Sequence, residues 1–487
     1  RKGCESMNEE KLSLIDKIVS YLPTVTRPTY KQPFMVRLKW TFLVLLCYLF
    51  LSHLTIAGVE PRSYEQFRFF EILLGSRFGS LLTLGIGPIV TAGIILQLLV
   101  GSKIFDWDLT KEEDRRKFQA WDKFLAILFC FIEGVAYVLS GAVPIRGGTL
   151  TFVSVVLQLA LGGILVILMD EVISKWGIGS GVSLFIAAGV ASQIFIRIFS
   201  FLPSTCKPFQ FFTCIPSLTN EPIGLFWQVL INSVRRDFVR VFTNLLPILS
   251  TCLIFLLVVF VQGAAIEIPL TFGGLRGFGR SWPLKLLYTS NIPVILAAAL
   301  LANLQLFGRF GLVEKDGLMC NFLACYDENG KVVSGILYYV SPPRGLLISA
   351  LTQGLTFDEI LRAVIYFIFF TSLAILFSVF WVTTAGMDAH SMAEQLVGIG
   401  MQIPGYRRDV KSIETVLNRY IPNLAIIGGF LVGLIAIFGD FLNTIGTGTG
   451  VLLTVMILYN YYEQLLSLIH ISEPTRPLYI SYAVFCL

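Results

Sequence analysis

Apolar residues along this chain gather into runs of about 20, the length that crosses a bilayer as a helix, separated by short polar stretches. The runs fall near 40–57, 79–100, 122–142, 148–169, 182–200, 244–266, 286–307, 362–384, 421–442 and 448–467. They predict ten transmembrane helices and an all-α membrane protein. Before the first run, Leu12, Leu14, Ile15, Ile18, Val19 and Leu22 recur at helical spacing around Asp16 and Lys17, which predicts an amphipathic surface helix within residues 1–35, ended by Pro23. The segment Tyr64–Gly75 is too short and too charged to cross and reads as a second short amphipathic helix. Between the last long loop and the ninth run, Ser412–Arg419 is predicted helical and stopped by Pro422.

The second run departs from an ordinary lipid-facing helix. Leu84–Leu99 carries Gly85, Gly87 and Gly93, with Pro88 removing a backbone donor. Such irregular backbone is tolerated at membrane depth only against protein or a cavity, so this helix is expected to line one or the other. Its Gly-Pro-Ile-Val-Thr-Ala-Gly-Ile-Ile-Leu before Gln97 has a faint counterpart in the Ile-Pro-Val-Ile-Leu-Ala-Ala-Ala-Leu-Leu before Gln305. In a five-plus-five arrangement each is its half's second span, entering from opposite faces, the pattern of an inverted repeat with its pathway at the interface. The halves would be 36–200 and 244–467, joined by an external loop at 201–243.

Composition agrees with a membrane protein. Hydrophobic residues make up 55% of the 487 and charged residues 14%, where a soluble domain carries about 25% charged, and the mean hydropathy is +0.75. Met7 reads as the initiating residue, with no cleavable signal, and the first run as an anchor. Lys and Arg are more numerous in the loops on the side of the termini, which places both termini in the cytoplasm. Residues 468–487, with two prolines and an apolar finish, read as non-native sequence and are set apart from the fold.

The side chains on offer argue against catalysis. His53, His390 and His470 are scattered, and neither a phosphate-binding glycine loop, a zinc-binding His pair nor a nucleophile elbow occurs, so no enzyme, cofactor or metal is expected. The nine cysteines lack paired Cys-x-x-Cys spacing, while Cys206 with Cys214 and Cys320 with Cys325 are spaced to pair in outside loops. An ion-coupled small-solute transporter is the rival reading, for which Glu133 and Asp440 are the ionisable groups near the midplane. Gly429-x-x-x-Gly433 lets another helix approach closely.

Four ordered stretches carry a family resemblance: Leu84–Leu99, Met169–Gly189, Tyr288–Leu300 and Gly446–Val455. Together they resemble the SecY family of protein-conducting channels in its archaeal and eukaryotic branch, over roughly Pro23 to Leu466. The resemblance implies two inverted halves around an hourglass pore that moves unfolded polypeptides and releases transmembrane segments sideways into lipid. It places Ile86, Val90, Val182, Ile186, Ile295 and Leu453 at the constriction, all aliphatic. Such a ring offers ions nothing in exchange for their hydration. It implies a plug near 61–75, with Tyr64, Phe67, Phe70, Ile72 and Leu73, and a lateral gate at Thr91, Glu133 and Asn303. Glu133 is an ionisable group where relatives often carry a neutral one.

The resemblance also implies ribosome docking through the loops after spans 6 and 8. Arg276, Arg280, Arg407 and Arg408 are the expected contacts to ribosomal RNA, with Gly274 standing where relatives commonly have a basic residue. The implied partners are a SecE-type clamp subunit, a small beta or SecG-type subunit, the ribosome with its nascent chain, signal peptides and membrane lipid. The implied location is the plasma membrane, with the endoplasmic reticulum as alternative.

Overall fold

The computed structural model describes residues 24–30, 32–59, 78–101, 104–105, 107, 111–203, 221–272, 279–289, 291–309, 313–315, 318–327, 332–343, 345–352, 354–404 and 409–472. Helices dominate. The first half of the described chain holds α1 (Phe34–Leu51), α2 (Gly87–Gly101), α3 (Glu112–Leu139), α4 (Thr149–Trp176) and α5 (Gly181–Phe199). A short α6 (Leu225–Val234) and the long α7 (Phe238–Gly263) follow, then α8 (Ile292–Phe307), α9 (Ile336–Val340), α10 (Leu346–Thr352), α11 (Phe357–Thr384), α12 (Ala389–Ile399), α13 (Val410–Phe441) and α14 (Gly448–Ser472).

Among the described residues, six helical segments are long and apolar enough to cross a membrane: α1, α4, α5, α7, the stretch opened by α11, and α13. Four helices at expected spans fall outside that set. For two the cause is length, α2 having 15 residues and α8 having 16. Charge dilutes α3, whose apolar part carries Asp122, Lys123 and Glu133. The apolar part of α14 gives way after Leu458 to Asn460, Glu463 and Gln464. The outward faces are greasy: Phe242, Leu249, Leu253, Leu256 and Phe260 form one exposed stripe on α7, a surface suited to lipid.

Most of the buried apolar side chains join one core that draws on α1 to α5, α7, α8, α11, α13 and α14. Within it α2 packs on α3 and α3 on α4, α11 packs on both α8 and α13, and α14 packs on α5 and α7. The Gly429 and Gly433 pair is used inside the chain, where a Cβ at Gly429 would stand 2.8 Å from Ser378 Cβ on α11.

The all-α expectation needs correction, because two small sheets lie between the helices. In the first, β1 (Ala265–Phe272) pairs antiparallel with β2 (Gly279–Lys285), and its far end, Thr271 and Phe272, pairs with Gln402 and Met401 of β7 (Met401–Gln402). Two loops far apart in sequence are thereby joined over a second core, which gathers Ile268, Leu270 and Leu284 with Ala393, Leu396, Ile413 and Leu417. The other sheet is the meander β3 (Val313–Lys315), β4 (Leu318–Cys320), β5 (Cys325–Tyr326) and β6 (Val332–Ser334). Cys320 and Cys325 face each other across its β4–β5 pair and form a disulfide. Cys206 and Cys214 lie outside the described residues.

Two further expectations change. Pro422 does not stop a helix: α13 runs unbroken through it for 32 residues. A proline costs the helix one backbone hydrogen bond, and here Ile413 and Leu417 before it and Leu424 and Ala425 after it are buried, so packing on both sides holds the helix together. The stretch 201–243 is not simply loop, since α6 lies in it, tied to the end of α5 by Trp227 Nε1 donating to Phe199 O at 3.0 Å.

Candidate functional site

Four helices of the core begin close to one another in character. Ile86 directly precedes α2 and Val90 is in its first turn; Val182 and Ile186 open α5; Ile295 opens α8; Leu453 is in the second turn of α14. All six therefore sit at helix starts, and all belong to the main core, five of them buried and Val182 half-buried. The sequence sets this up locally. Turns, not helix, occupy 78–86, where Gly79 and Gly85 take positive φ, so α2 is a short helix whose first turn falls inside the core. In α8, Pro293 sits in the first turn, where its missing N–H costs nothing. The result is a set of aliphatic side chains at helix starts within the main core.

Beside that cluster lies a polar seam. Thr91 of α2 donates through its hydroxyl to Glu133 Oε1 of α3 at 2.7 Å and accepts from Asn303 Nδ2 of α8 at 3.1 Å. A hydroxyl can do both at once, so Thr91 is the hub. The bond to Asn303 joins residues 212 apart in sequence, and side-chain bonds of this kind within a membrane contribute about 0.6 to 2 kcal/mol. Further along the contact, a Cβ on Gly101 at the end of α2 would stand 3.2 Å from the Phe380 ring of α11.

Asp440, a candidate for ion coupling, has a different employment. Its Oδ1 accepts from the backbone N–H of Gly448 at 2.7 Å, its Oδ2 from the Tyr366 hydroxyl at 3.0 Å. Asp170, unremarked in the sequence, does likewise in the first half: its Oδ1 accepts from the Val182 N–H at 2.9 Å. The signal that was available is an acid shortly upstream of a helix opened by glycine, Asp170 before Gly181 and Asp440 before Gly448.

The expected plug residues Tyr64, Phe67, Phe70, Ile72 and Leu73 lie outside the described residues, as do Arg276, Arg407 and Arg408. Of the four arginines only the backbone of Arg280 is described, in β2 opposite Leu270. Sequence reasoning missed the pairing of β1 with β7, which ties the loops bearing these arginines together. A strand contact of two residues leaves no periodic trace.

Long apolar helices packed on one aliphatic core, with a polar contact linking α2, α3 and α8, define a mainly helical membrane protein. The chain belongs to the SecY family, whose model matches residues 80–462. It is 40% identical over 464 residues to the protein translocase subunit SecY of Pyrococcus furiosus, covering 93% of this chain and 95% of that one. With the subunit of the same name from Methanococcus vannielii the identity is 42% over 451 residues, covering 93% and 95%. Among solved structures, one described as a protein conducting channel superposes with a TM-score of 0.79 at 39% identity, covering 95% of this chain and all of that one. Sec61 in a canine ribosome-channel complex from the endoplasmic reticulum gives 0.76 at 39%, with the same coverage.

Proposed function

We propose that this chain is the pore-forming subunit of a protein translocation channel, moving unfolded polypeptides across a membrane and releasing transmembrane segments sideways into lipid. The observation that carries this reading is the set of six aliphatic side chains at the starts of four interrupted helices. A narrow aliphatic ring blocks hydrated ions without a rigid lid, yet its side chains can shift around an extended chain of any sequence. Thr91, Glu133 and Asn303 serve as the lateral gate: one polar bond between α2 and α8 is strong enough to hold a seam and weak enough to release it.

In this reading α1 to α5 and α7, α8, α11, α13 and α14 are the ten spans of two inverted halves. The matched Asp170 and Asp440 contacts, each joining the fourth helix of a half to its fifth, support that pairing. The β1–β2 hairpin and α12 with β7 form the cytoplasmic face, both termini lie on that side, and its arginines dock the ribosome. The canine ribosome-channel complex lends that docking its support. The plug near 61–75, a SecE-type clamp and a small third subunit complete the assembly, in the plasma membrane or the endoplasmic reticulum. The transporter reading loses ground because both oxygens of Asp440 are occupied by protein donors. Membership of a channel family likewise leaves no role for catalysis.

The ring is tested by replacing Ile86, Val182 and Ile295 together with Ser. Resting conductance of the purified protein in planar bilayers should rise at least several-fold as the constriction hydrates. Parent-level conductance from folded protein would overturn the reading.

A further inference from the structure

The six aliphatic residues line a ring only if the helix starts that carry them are held in place, and two of those starts are held by the same device. In the first half Asp170, near the end of α4, accepts from the N–H of Val182, itself one of the six. In the second half Asp440, at the end of α13, accepts from the N–H of Gly448, five residues before Leu453. The N–H groups of a first helical turn have no partner within their own helix, and a carboxylate meets both that need and the positive end of the helix dipole. Ser180 gives α5 no side-chain cap, while in α14 Thr447 accepts from the Gly450 N–H at 3.0 Å and leaves the Gly448 N–H to Asp440; in both helices the acid comes from the preceding helix.

Each clasp is closed by a glycine. A Cβ on Gly181 would lie 2.7 Å from Asp170 Cα, and a Cβ on Gly439 would lie 2.5 Å from Gly448 Cα, so the acid-bearing helix reaches the next helix only because side chains are missing there. The lysines near Asp170 have their own anion, since Lys123 and Lys175 bond Glu171 at 2.9 and 2.6 Å. On the other side Tyr366 of α11 fixes the second oxygen of Asp440. A second link joins α14 to α5, where the Tyr461 hydroxyl donates to the carbonyl of Ser180 at the start of α5, at 2.8 Å.

We infer that Asp170 and Asp440 are positioning residues for the constriction, each pinning the start of a ring-bearing helix so that Val182 and Ile186 on one side and Leu453 on the other meet when the channel rests. The inference rests on the pore reading above. It assigns the closed state to two interior hydrogen bonds, one per half, in addition to apolar contact at the ring. When a clasp lets go, the helix start is free to move and the ring loses one wall.

The test compares Asp170→Ala and Asp440→Ala with Asp170→Asn and Asp440→Asn, using monodisperse protein reconstituted in planar bilayers, with thermal midpoints measured in parallel. Alanine removes the acceptor. Asparagine keeps a carbonyl oxygen in its place. Each Ala variant should raise resting ion conductance about tenfold, the population shift expected from losing one buried hydrogen bond. The Asn variants should stay close to the parent, and Tyr366→Phe should fall between. If alanine yields no folded protein, Ser variants, too short to reach the same N–H, take its place in the comparison. Folded Ala or Ser variants with parental conductance would overturn the inference, as would Asn variants that leak as much as Ala. The Ile86, Val182 and Ile295 triple Ser variant runs alongside: if it leaks while the acid variants do not, the clasp is wrong and the pore stands, and if it does not leak, the pore reading itself has failed.

Discussion

His390 stands among three carboxylates. Its Nδ1 lies 3.0 Å from Glu414 Oε2 on α13 and its Nε2 lies 3.3 Å from Glu394 Oε1 on α12, with Asp388 at the cap of the same helix. The hydrogen bond to Glu414 raises its pKa above the ordinary 6.5, and Glu394 and Asp388 add to the effect. The protonated imidazole therefore favours the folded contact. Its contribution is complete below about 6.5 and fades as pH rises through the higher folded value. An NMR titration of His390 should give a midpoint above 6.5 that drops in Glu414→Gln; an unchanged midpoint in that variant would remove Glu414 as the cause. Other residues yielded unevenly to the sequence. The resemblance named Thr91, Glu133 and Asn303, and the structure brings the three within hydrogen-bond reach. The employment of Asp440 was not legible because a buried acid in an apolar run looks the same whether it meets an ion or a backbone N–H.

Among the elements, the helices were legible and their ends were not. Runs of apolar residues mark where the chain can lie in lipid, but α2 begins at Gly87 and α8 at Ile292, several residues inside the predicted spans, because turns can occupy membrane depth when protein surrounds them. The same ambiguity concealed the unbroken passage of α13 through Pro422. The glycine pair of α13 was visible as a motif, but its partner was not, since small residues specify close approach and not to whom. The partner is α11: Gly429 faces Ser378 and the Ala374 carbonyl, and a Cβ at Gly433 would stand 3.2 Å from Ala374 Cβ. A Gly429→Leu side chain must push these helices apart, so it should destabilise the folded protein by about 1 to 3 kcal/mol, the usual cost of overpacking. Gly263→Ala, at a position with open space around the added carbon, should stay within about 0.5 kcal/mol. Reversible denaturation in mixed micelles compares the two, and equal effects would mean that the α11–α13 contact tolerates extra volume.

For the molecule as a whole, the two faces of the central site differ in what holds them. Around the proposed ring, burial of aliphatic side chains draws α2, α5, α8 and α14 into one core, and two acids bond the starts of α5 and α14. At the seam, α2 meets α8 through Asn303 and Thr91, and α2 meets α11 near Gly101 and Phe380. A path for solutes alone would need no such weak side; a path that delivers apolar segments to lipid needs one. Thr91→Cys with Asn303→Cys, in a background lacking the nine native cysteines, should form a disulfide or a short crosslink in the resting protein, because the parent side chains already touch. Once locked, the protein should fail to insert signal and transmembrane segments, and reduction should restore insertion. Replacing Asn303 by Leu should instead shift the balance between shut and open seam by about 1 kcal/mol, roughly fivefold in population. Insertion at the parental rate through a verified lock would show that segments leave by another route, and the polar bridge between α2 and α8 would then be an ordinary packing contact.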